Sequence, residues 1–245
     1  MQKVRFTFST ATVICLLFLT GCGSTTPSLS TMPSPTEHKQ PRGIDLSFRW
    51  ITTPEFDPLS SEGTFVRAYV ESYELARDGI GTEWGYPGFA DASPPNIEQM
   101  LKTNQLGVDY RATQFYRLLR RLSGPSSTTI TLCRYGEGTV FSKKTWWYSS
   151  WKPIPISITF TTADADPPAG ERGSRRAPAL NVFGGWKTTS FELFPADSYD
   201  VQPSLVQQCQ DDVRGLPLLP PHKPQKQSDP FTPLPPSPGW PDAGL

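Results

Sequence analysis

The sequence predicts an α+β domain in which helices come first and antiparallel strands follow. Helical spacing of apolar residues is confined to residues 60–105. After that point, short segments rich in β-branched and aromatic residues alternate with turn signals. Helices followed by a run of strands are typical of the α+β class. The region organised in this way, 44–215, has the length of one domain, about 100 to 200 residues. We therefore expect a single folded domain there.

Two helices are predicted in the first half of this domain. In "SSEGTFVRAYVESYELARDG", Ser60 or Ser61 is a candidate N-cap and Gly79 a candidate terminator. In "SPPNIEQMLKTNQ", Ser93 is the candidate cap and Pro94 occupies a tolerated first-turn position. The first segment has its apolar residues at helical spacing, namely Phe65, Tyr69, Tyr73 and Ala76.

Six strand segments are predicted in the second half. They are short, rich in β-branched and aromatic residues, and separated by Gly and Pro turn signals at 123–125, 136–138 and 184–185. The segments are 114–122, 127–135, 138–142, 155–162, 179–183 and 186–194.

Three segments, "FVRAYVESYELA", "YPGFADAS" and "YRLLRRLSGPSSTTITLCRYGEG", resemble uncharacterised secreted lipoproteins of mycobacteria and related actinobacteria. The order of helices and strands resembles the nuclear transport factor two-like superfamily, which includes SnoaL-type proteins and ketosteroid isomerases. The resemblance to the lipoproteins spans about half of the chain. The resemblance to the superfamily implies N-terminal helices packed on a curved antiparallel sheet that encloses a conical pocket, and the composition of the two ends, given below, adds disordered ends. It implies no particular activity.

The N-terminal residues 1–21 are predicted to be a lipoprotein signal peptide. Lys3 and Arg5 precede an apolar run, 13–19, that is too short to span a bilayer, which needs ~20 residues. "LTGC" resembles the lipobox of bacterial lipoprotein precursors, in which the cysteine, here Cys22, carries a diacylglyceryl group. Two acyl chains suffice for stable attachment, which predicts a position on the outer face of the cell membrane. The alternative is an ordinary secretory signal that ends in small residues and a cysteine.

The two ends of the mature chain have a different composition from the middle. Residues 22–43 are rich in Ser, Thr and Pro and predict a tether. Residues 216–245 carry a proline every few positions, which excludes helix and central strand and predicts a disordered tail. A dedicated docking peptide is the alternative for this tail.

The cysteines predict one disulfide. Cys15 would leave with the signal and Cys22 would carry lipid, so Cys133 and Cys209 remain in an oxidising compartment. Two buried free thiols are the alternative. No metal site is expected, because two separated cysteines without a nearby histidine fall short of four ligands.

Charge and motif content exclude several function classes. The chain has 23 basic and 23 acidic residues and no concentrated basic surface, so nucleic acid is not an expected partner. Both histidines, His38 and His222, lie outside the predicted domain, and no common hydrolase, zinc-protease or phosphate-binding motif occurs. No cofactor is expected. The candidates for carboxylate and tyrosine chemistry are Asp91, Asp109, Tyr73 and Tyr110, whose ordinary roles would be capping, turn formation and packing.

Aromatic residues are the best candidates for a pocket lining or a partner contact. Trp146 and Trp147 are adjacent in a predicted extended segment, so they must point to opposite faces, and Trp151 follows closely. Tyr69 and Tyr73 would face the pocket from the first helix. Ordinary core packing is the alternative for all of them.

Three functions follow from these observations. The first is a membrane-anchored envelope lipoprotein whose domain binds an apolar ligand or an envelope protein without catalysis. The second is a pocket enzyme that uses carboxylate and tyrosine acid-base chemistry. The third is a phage-derived surface exclusion lipoprotein. A cavity of a few hundred cubic ångströms lined by Tyr69 and Tyr73 would favour ligand binding.

Overall fold

A computed structural model describes residues 38–104, 108–162, 166–193, 203–213 and 223–242. The predicted signal peptide, Cys22 and the tether up to residue 37 lie outside the described residues, as do parts of the predicted tail. The described elements, in chain order, are β1 (Ile44–Ile51), α1 (Ser61–Gly79), a 3-10 turn (Thr82–Trp84), α2 (Phe89–Ala92), α3 (Ile97–Asn104), β2 (Tyr110–Ser123), β3 (Ser127–Ser142), β4 (Thr145–Thr161), β5 (Lys187–Leu193), α4 (Pro203–Asp212) and β6 (Gln225–Gln227).

The strands form one mixed sheet in the order β1-β2-β3-β4-β5, with β6 paired to β4. β1 runs parallel to β2, with Ile44 opposite Tyr110, and the other neighbours are antiparallel. One face of the sheet packs on α1. The opposite face, called the outer face below, carries α4 and the part of the C-terminal segment 223–242 that contains Phe231 and Leu234.

The predicted fold class is wrong. Strand residues outnumber helical residues, the sheet is mixed, and the helices are not the N-terminal cover of a cone-shaped antiparallel sheet. The first element is β1, which the sequence analysis missed. Its sequence "IDLSFRWI" buries alternate apolar residues, Leu46, Phe48 and Trp50, as a strand should. β1 enters the sheet because α1 and its connections supply the long crossover that parallel strands require.

α1 confirms the first predicted helix. Ser60 is its N-cap, and the hydroxyl accepts a hydrogen bond from the Gly63 amide at 3.0 Å. The C-terminal end of α1 differs slightly from the prediction. Gly79 is the last helical residue, and Ile80 is the C-cap in the left-handed conformation. α1 is buried almost all round, since the sheet covers one side and the C-terminal segment reaches the other. None of the described helices has the length and apolar character needed to cross a membrane.

The second predicted helix begins later than expected. α3 starts at Ile97, whereas Ser93 ends the short α2, with its hydroxyl donating to the Phe89 carbonyl at 2.7 Å. Ser93 therefore caps α2 and not the predicted helix, because a serine hydroxyl can serve the backbone at either end of a short helix.

Most of the predicted strand segments are confirmed, although 127–135 and 138–142 form one continuous strand, β3, across the predicted turn at 136–138. The glycines there serve close packing. A side chain on Gly138 would place its Cβ 2.1 Å from the carbonyl oxygen of Arg111 on β2. The segment 179–183 is not a strand; it lies in the connection before β5.

The Cys133–Cys209 disulfide is confirmed. It joins β3 to α4 across a sequence separation of 76, with the two Cα atoms 5.4 Å apart. Both cysteines are fully buried. A second contact, between Arg117 on β2 and Asp212 at 3.0 Å, ties the end of α4 to the same face. The disulfide therefore attaches α4 to the outer face of the sheet.

The C-terminal segment 223–242 is not disordered, which corrects the prediction for this part of the tail. The amides of Phe231 and Leu234 donate to the hydroxyls of Thr139 and Thr113, each at 2.9 Å. Trp240 is fully buried. Prolines remove amide donors from this segment, and other amides bond to backbone carbonyls, with Ser237 donating to Phe48 and Trp240 to Arg175.

Candidate functional site

A cavity of about 430 Å³ opens beside the beginning of β1. This volume is within the ~300 to 1,000 Å³ typical of ligand sites. The residues that line it come from the entry to β1, from α1, from β2 and from the connection before β5. They are His38, Gln40, Gly43, Ile44, Asp45, Leu75, Arg111, Arg176 and Ala177.

The edge of the cavity is a short, well-bonded loop. Gln40 holds both backbone groups of Leu46, accepting from its amide at 2.6 Å and donating to its carbonyl at 2.7 Å. Gly43 has φ of +81°, a conformation that favours glycine, and lets the chain turn into β1. His38 and Gln40, which belong to the predicted tether, thus contact the domain. The loop supplies a fixed wall.

Among the residues that line the cavity, positively charged side chains outnumber negatively charged ones. The guanidinium of Arg176 pairs with Asp45, and both side chains are partly exposed. Arg111 is the neighbour of Asp45 in the sheet, yet within the described ranges it forms no ion pair. Instead its guanidinium lies 5.7 Å from the ring centroid of Trp146. Arg111 is therefore a lining residue of the cavity that has no acidic partner in the part of the chain that the structure describes.

His38 adds no positive charge. Its Nε2 lies 3.1 Å from the carbonyl oxygen of Gly85, which only accepts, so Nε2 carries the proton. Burial lowers the pKa of His38 despite this hydrogen bond, and the imidazole is neutral at pH 7. The apolar part of the lining comes from Ile44, Leu75 and Ala177. The arrangement fits a small molecule with one negative group and an apolar portion.

Two clusters of buried polar side chains surround α1, and neither contributes a side chain to the cavity lining. In the first, the carboxylate of Glu71 accepts hydrogen bonds from Trp50 Nε1 at 2.7 Å, the Tyr86 hydroxyl at 2.7 Å and Trp240 Nε1 at 2.8 Å. Burial raises the pKa of Glu71 in spite of these donors and of Arg67. This cluster attaches the C-terminal segment to α1.

The second cluster is centred on Glu74, which contacts Arg77 at 2.7 Å and Arg134 at 2.9 Å. Burial works against ionisation, but the charges of Arg134 and Arg77 outweigh it and lower the pKa of Glu74. Gln114 and Tyr116 complete the hydrogen bonding. The side chains of this cluster find their ion-pair and hydrogen-bond partners within it, which is typical of a structural network.

Tyr69 and Tyr73 do not line the cavity. Both are fully buried, with their ring centroids 5.5 and 4.3 Å from that of Phe191 on β5. They belong to the hydrophobic core between α1 and the sheet. The expectation that these two tyrosines face an open pocket is not met at this cavity.

The three candidate tryptophans are separated. Trp146 lies on the outer face against Phe141, with ring centroids 5.1 Å apart, and beside Arg111. Trp147 points to the other face, and its Nε1 donates to the Ser142 carbonyl at 3.2 Å. Trp151 packs edge-on against Tyr110 next to the core. None of the three lines the cavity, although Trp146 contacts Arg111, which does.

The candidates for acid-base chemistry do not come together. Asp91 on α2 and Asp109 just before β2 are exposed, whereas Tyr73 and Tyr110 are buried. The hydroxyl of Tyr110 accepts from Gln114 at 2.6 Å. Among the described residues no group of three His, Cys, Asp or Glu side chains is arranged to hold a metal ion.

Sequence reasoning missed the arginines of this cavity. It found no concentrated basic surface and singled out neither Arg111 nor Arg176, and it assigned His38 to the tether. The proximity of Asp45 and Arg111 depends on the parallel pairing of β1 and β2. The available signal was the alternating pattern of "IDLSFRWI", which would have identified β1 but not its neighbour.

Neither the family models, nor the curated proteins, nor the solved structures with which we compared the chain gave a match. The resemblance to secreted actinobacterial lipoproteins therefore stays a prediction.

Proposed function

We propose that this chain is a lipid-anchored envelope protein whose domain, held outside the membrane, binds a small anionic amphiphile without catalysis. The observation that carries the ligand class is Arg111, a guanidinium without an acidic partner among the described residues, at a cavity that also has apolar walls. An apolar ligand alone would leave this charge unmatched, so the ligand needs a carboxylate or a similar group.

The N-terminal sequence supports the anchor. A charged end, a short apolar run and "LTGC" at 19–22 have the order that a lipoprotein precursor requires. Mass spectrometry of the mature N-terminus tests this directly. An unmodified Cys22, or a chain that keeps residues 1–21, would contradict the anchor but not the cavity.

Ligand binding is tested by calorimetry with octanoate and, for comparison, 1-octanol. Octanoate should bind more tightly than the alcohol. Arg111→Gln should weaken octanoate binding at least tenfold, because a hydrogen bond to a charged group contributes about 1.5 to 3 kcal/mol. The variant should leave octanol binding nearly unchanged.

Arg120→Gln is the matched control, since Arg120 is an exposed arginine on β2 away from the cavity. Equal octanoate binding by the parent and Arg111→Gln would refute the anionic ligand class. A thermal melt of both variants checks that the domain remains folded.

A further inference from the structure

The turn between β3 and β4 has an unusual composition. Its two central residues, Lys143 and Lys144, have φ of +51° and +62°, and Ser142 pairs with Thr145 across them. A two-residue hairpin of this kind favours Asn-Gly, because positive φ is costly for residues with a Cβ. Hairpin formation therefore does not explain the two lysines, and their charge is the property that remains.

Exposed apolar side chains surround this turn. Phe141 is 41% exposed and packs against Trp146, and Trp147 is partly exposed on the opposite side of β4. Val108, 40% exposed, is adjacent, because the Phe141 amide donates to the carbonyl of Asp109. The tip of this hairpin thus presents aromatic and aliphatic surface on both faces.

The charge around these apolar residues is mainly positive. Lys226 on β6 is the sheet partner of Trp147, and Lys223 precedes it in the chain; both are exposed, as are Lys143 and Lys144. The exposed acidic residues nearby in the chain are Asp109 and Asp229, and Asp229 accepts from the Ser228 hydroxyl. We define the hairpin tip as residues 141–147 with Val108, Lys223 and Lys226.

We propose that the hairpin tip rests on the surface of a bilayer that contains anionic lipids. Tryptophan favours the boundary between headgroups and acyl chains, and lysine extends from that boundary toward lipid phosphates. Lysines beside aromatic residues match an anionic membrane in charge and in polarity. Only a short segment separates the predicted anchor at Cys22 from His38, the first described residue. This proposal therefore rests on the proposed anchoring, which would bring the domain close to a membrane.

The experiment measures cosedimentation of the full chain with vesicles. All proteins carry Cys22→Ala, so that no acyl anchor contributes, and the vesicles contain either phosphatidylcholine alone or phosphatidylcholine with phosphatidylglycerol. The test variant is Lys143→Asn with Lys144→Gly, which removes both charges and installs the turn residues that suit positive φ. It should therefore fold at least as well as the parent. The control variant is Lys102→Gln with Lys152→Gln, two exposed lysines outside the tip.

The parent should bind phosphatidylglycerol vesicles more tightly than phosphatidylcholine vesicles. The test variant should bind the phosphatidylglycerol vesicles about 10- to 30-fold more weakly than the parent, as expected for the loss of two lysines near an anionic surface. The control variant should bind them nearly as tightly as the parent. Equal binding by parent and test variant, or equal losses in test and control, would overturn the proposal. Failure of the anchor appears separately, as unmodified Cys22 in the native protein.

Discussion

At the scale of single residues, the unusual feature is the concentration of buried charge on α1. Arg67, Glu71, Glu74 and Arg77 are all 3% exposed or less. Each has partners outside the helix or one turn away, and the carboxylates are met by guanidinium, indole and hydroxyl donors. A buried charge is tolerated only with such partners. Removing one member of such a network should therefore lower the free energy of unfolding by more than the lost hydrogen bond or ion pair contributed, because its partner stays buried and unpaired.

Glu74→Gln should lower the free energy of unfolding by about 3 to 5 kcal/mol at pH 7, because it leaves Arg77 and Arg134 without their shared carboxylate. Urea unfolding of both proteins measures the difference. Glu192→Gln on β5 is the control, since that carboxylate is exposed and should change stability by less than about 0.5 kcal/mol.

The stability difference between the parent and Glu74→Gln should depend on pH. The pKa of Glu74 is lowered in the folded state, so its contribution is present above the ordinary value of 4.5 and is lost as the pH falls through the folded pKa. Glu71 has a raised pKa and acts in the opposite direction, but it is common to both proteins. The stability difference between parent and Glu74→Gln should therefore shrink below about pH 4.5. A constant difference down to pH 2 would contradict the lowered pKa.

At the scale of elements, α4 illustrates how a short helix is held in place. It is ten residues long, too short to be stable alone in water, where isolated helices need ~12 to 15 residues. The Cys133–Cys209 disulfide and the Arg117–Asp212 ion pair fasten it to the outer face of the sheet. The helix depends on these tertiary links.

Cys133→Ser should lower the free energy of unfolding by about 2 to 5 kcal/mol, the usual cost of removing a native disulfide. Cys209→Ser should cost a similar amount, and the double variant should be no worse than the more damaging single variant, because one bond is lost in each case. Denaturant titration under non-reducing conditions measures the three values. Additive losses would mean that the two thiols act independently.

At the scale of the whole molecule, the C-terminal segment completes the core. Trp240 is fully buried, donates to Glu71 at 2.8 Å, and lies under the Arg67 guanidinium, 4.2 Å from its ring centroid. Arg67 in turn donates to the carbonyl of Gly239 at 3.2 Å. Gly239 and Trp240 therefore pack against the side of α1 that the sheet does not cover.

Trp240→Ala should lower the free energy of unfolding by about 3 to 5 kcal/mol, as large-to-small substitutions in cores do. Leu234→Ala, in the same segment but 41% exposed, is the control and should cost far less. Thermal melts or urea titrations distinguish them. A neutral Trp240→Ala would show that the segment is dispensable, as the prediction of a disordered tail required.

Local signals were sufficient for part of this architecture. The helical spacing of Phe65, Tyr69 and Tyr73 and the cap at Ser60 identified α1, because both act within a few residues of the chain. The disulfide followed from counting the cysteines that remain after the predicted signal peptide and the predicted lipid site are set aside. β-branched runs identified most strands of the antiparallel part of the sheet, although the joining of two of them into β3 escaped notice, because glycines that permit close packing look like turns.

The sequence by itself thus determined α1, most of the antiparallel strands and the disulfide, whose signals are local or compositional. Only the tertiary structure decided that β1 lies parallel to β2, which places Asp45 beside Arg111 and forms the cavity. It also decided that Trp240 is core, through a hydrogen bond to a residue 169 positions away. The physical reason is the same in both cases. The pairing of distant segments is set by which apolar and polar groups must be buried together, and no short window of sequence contains that information.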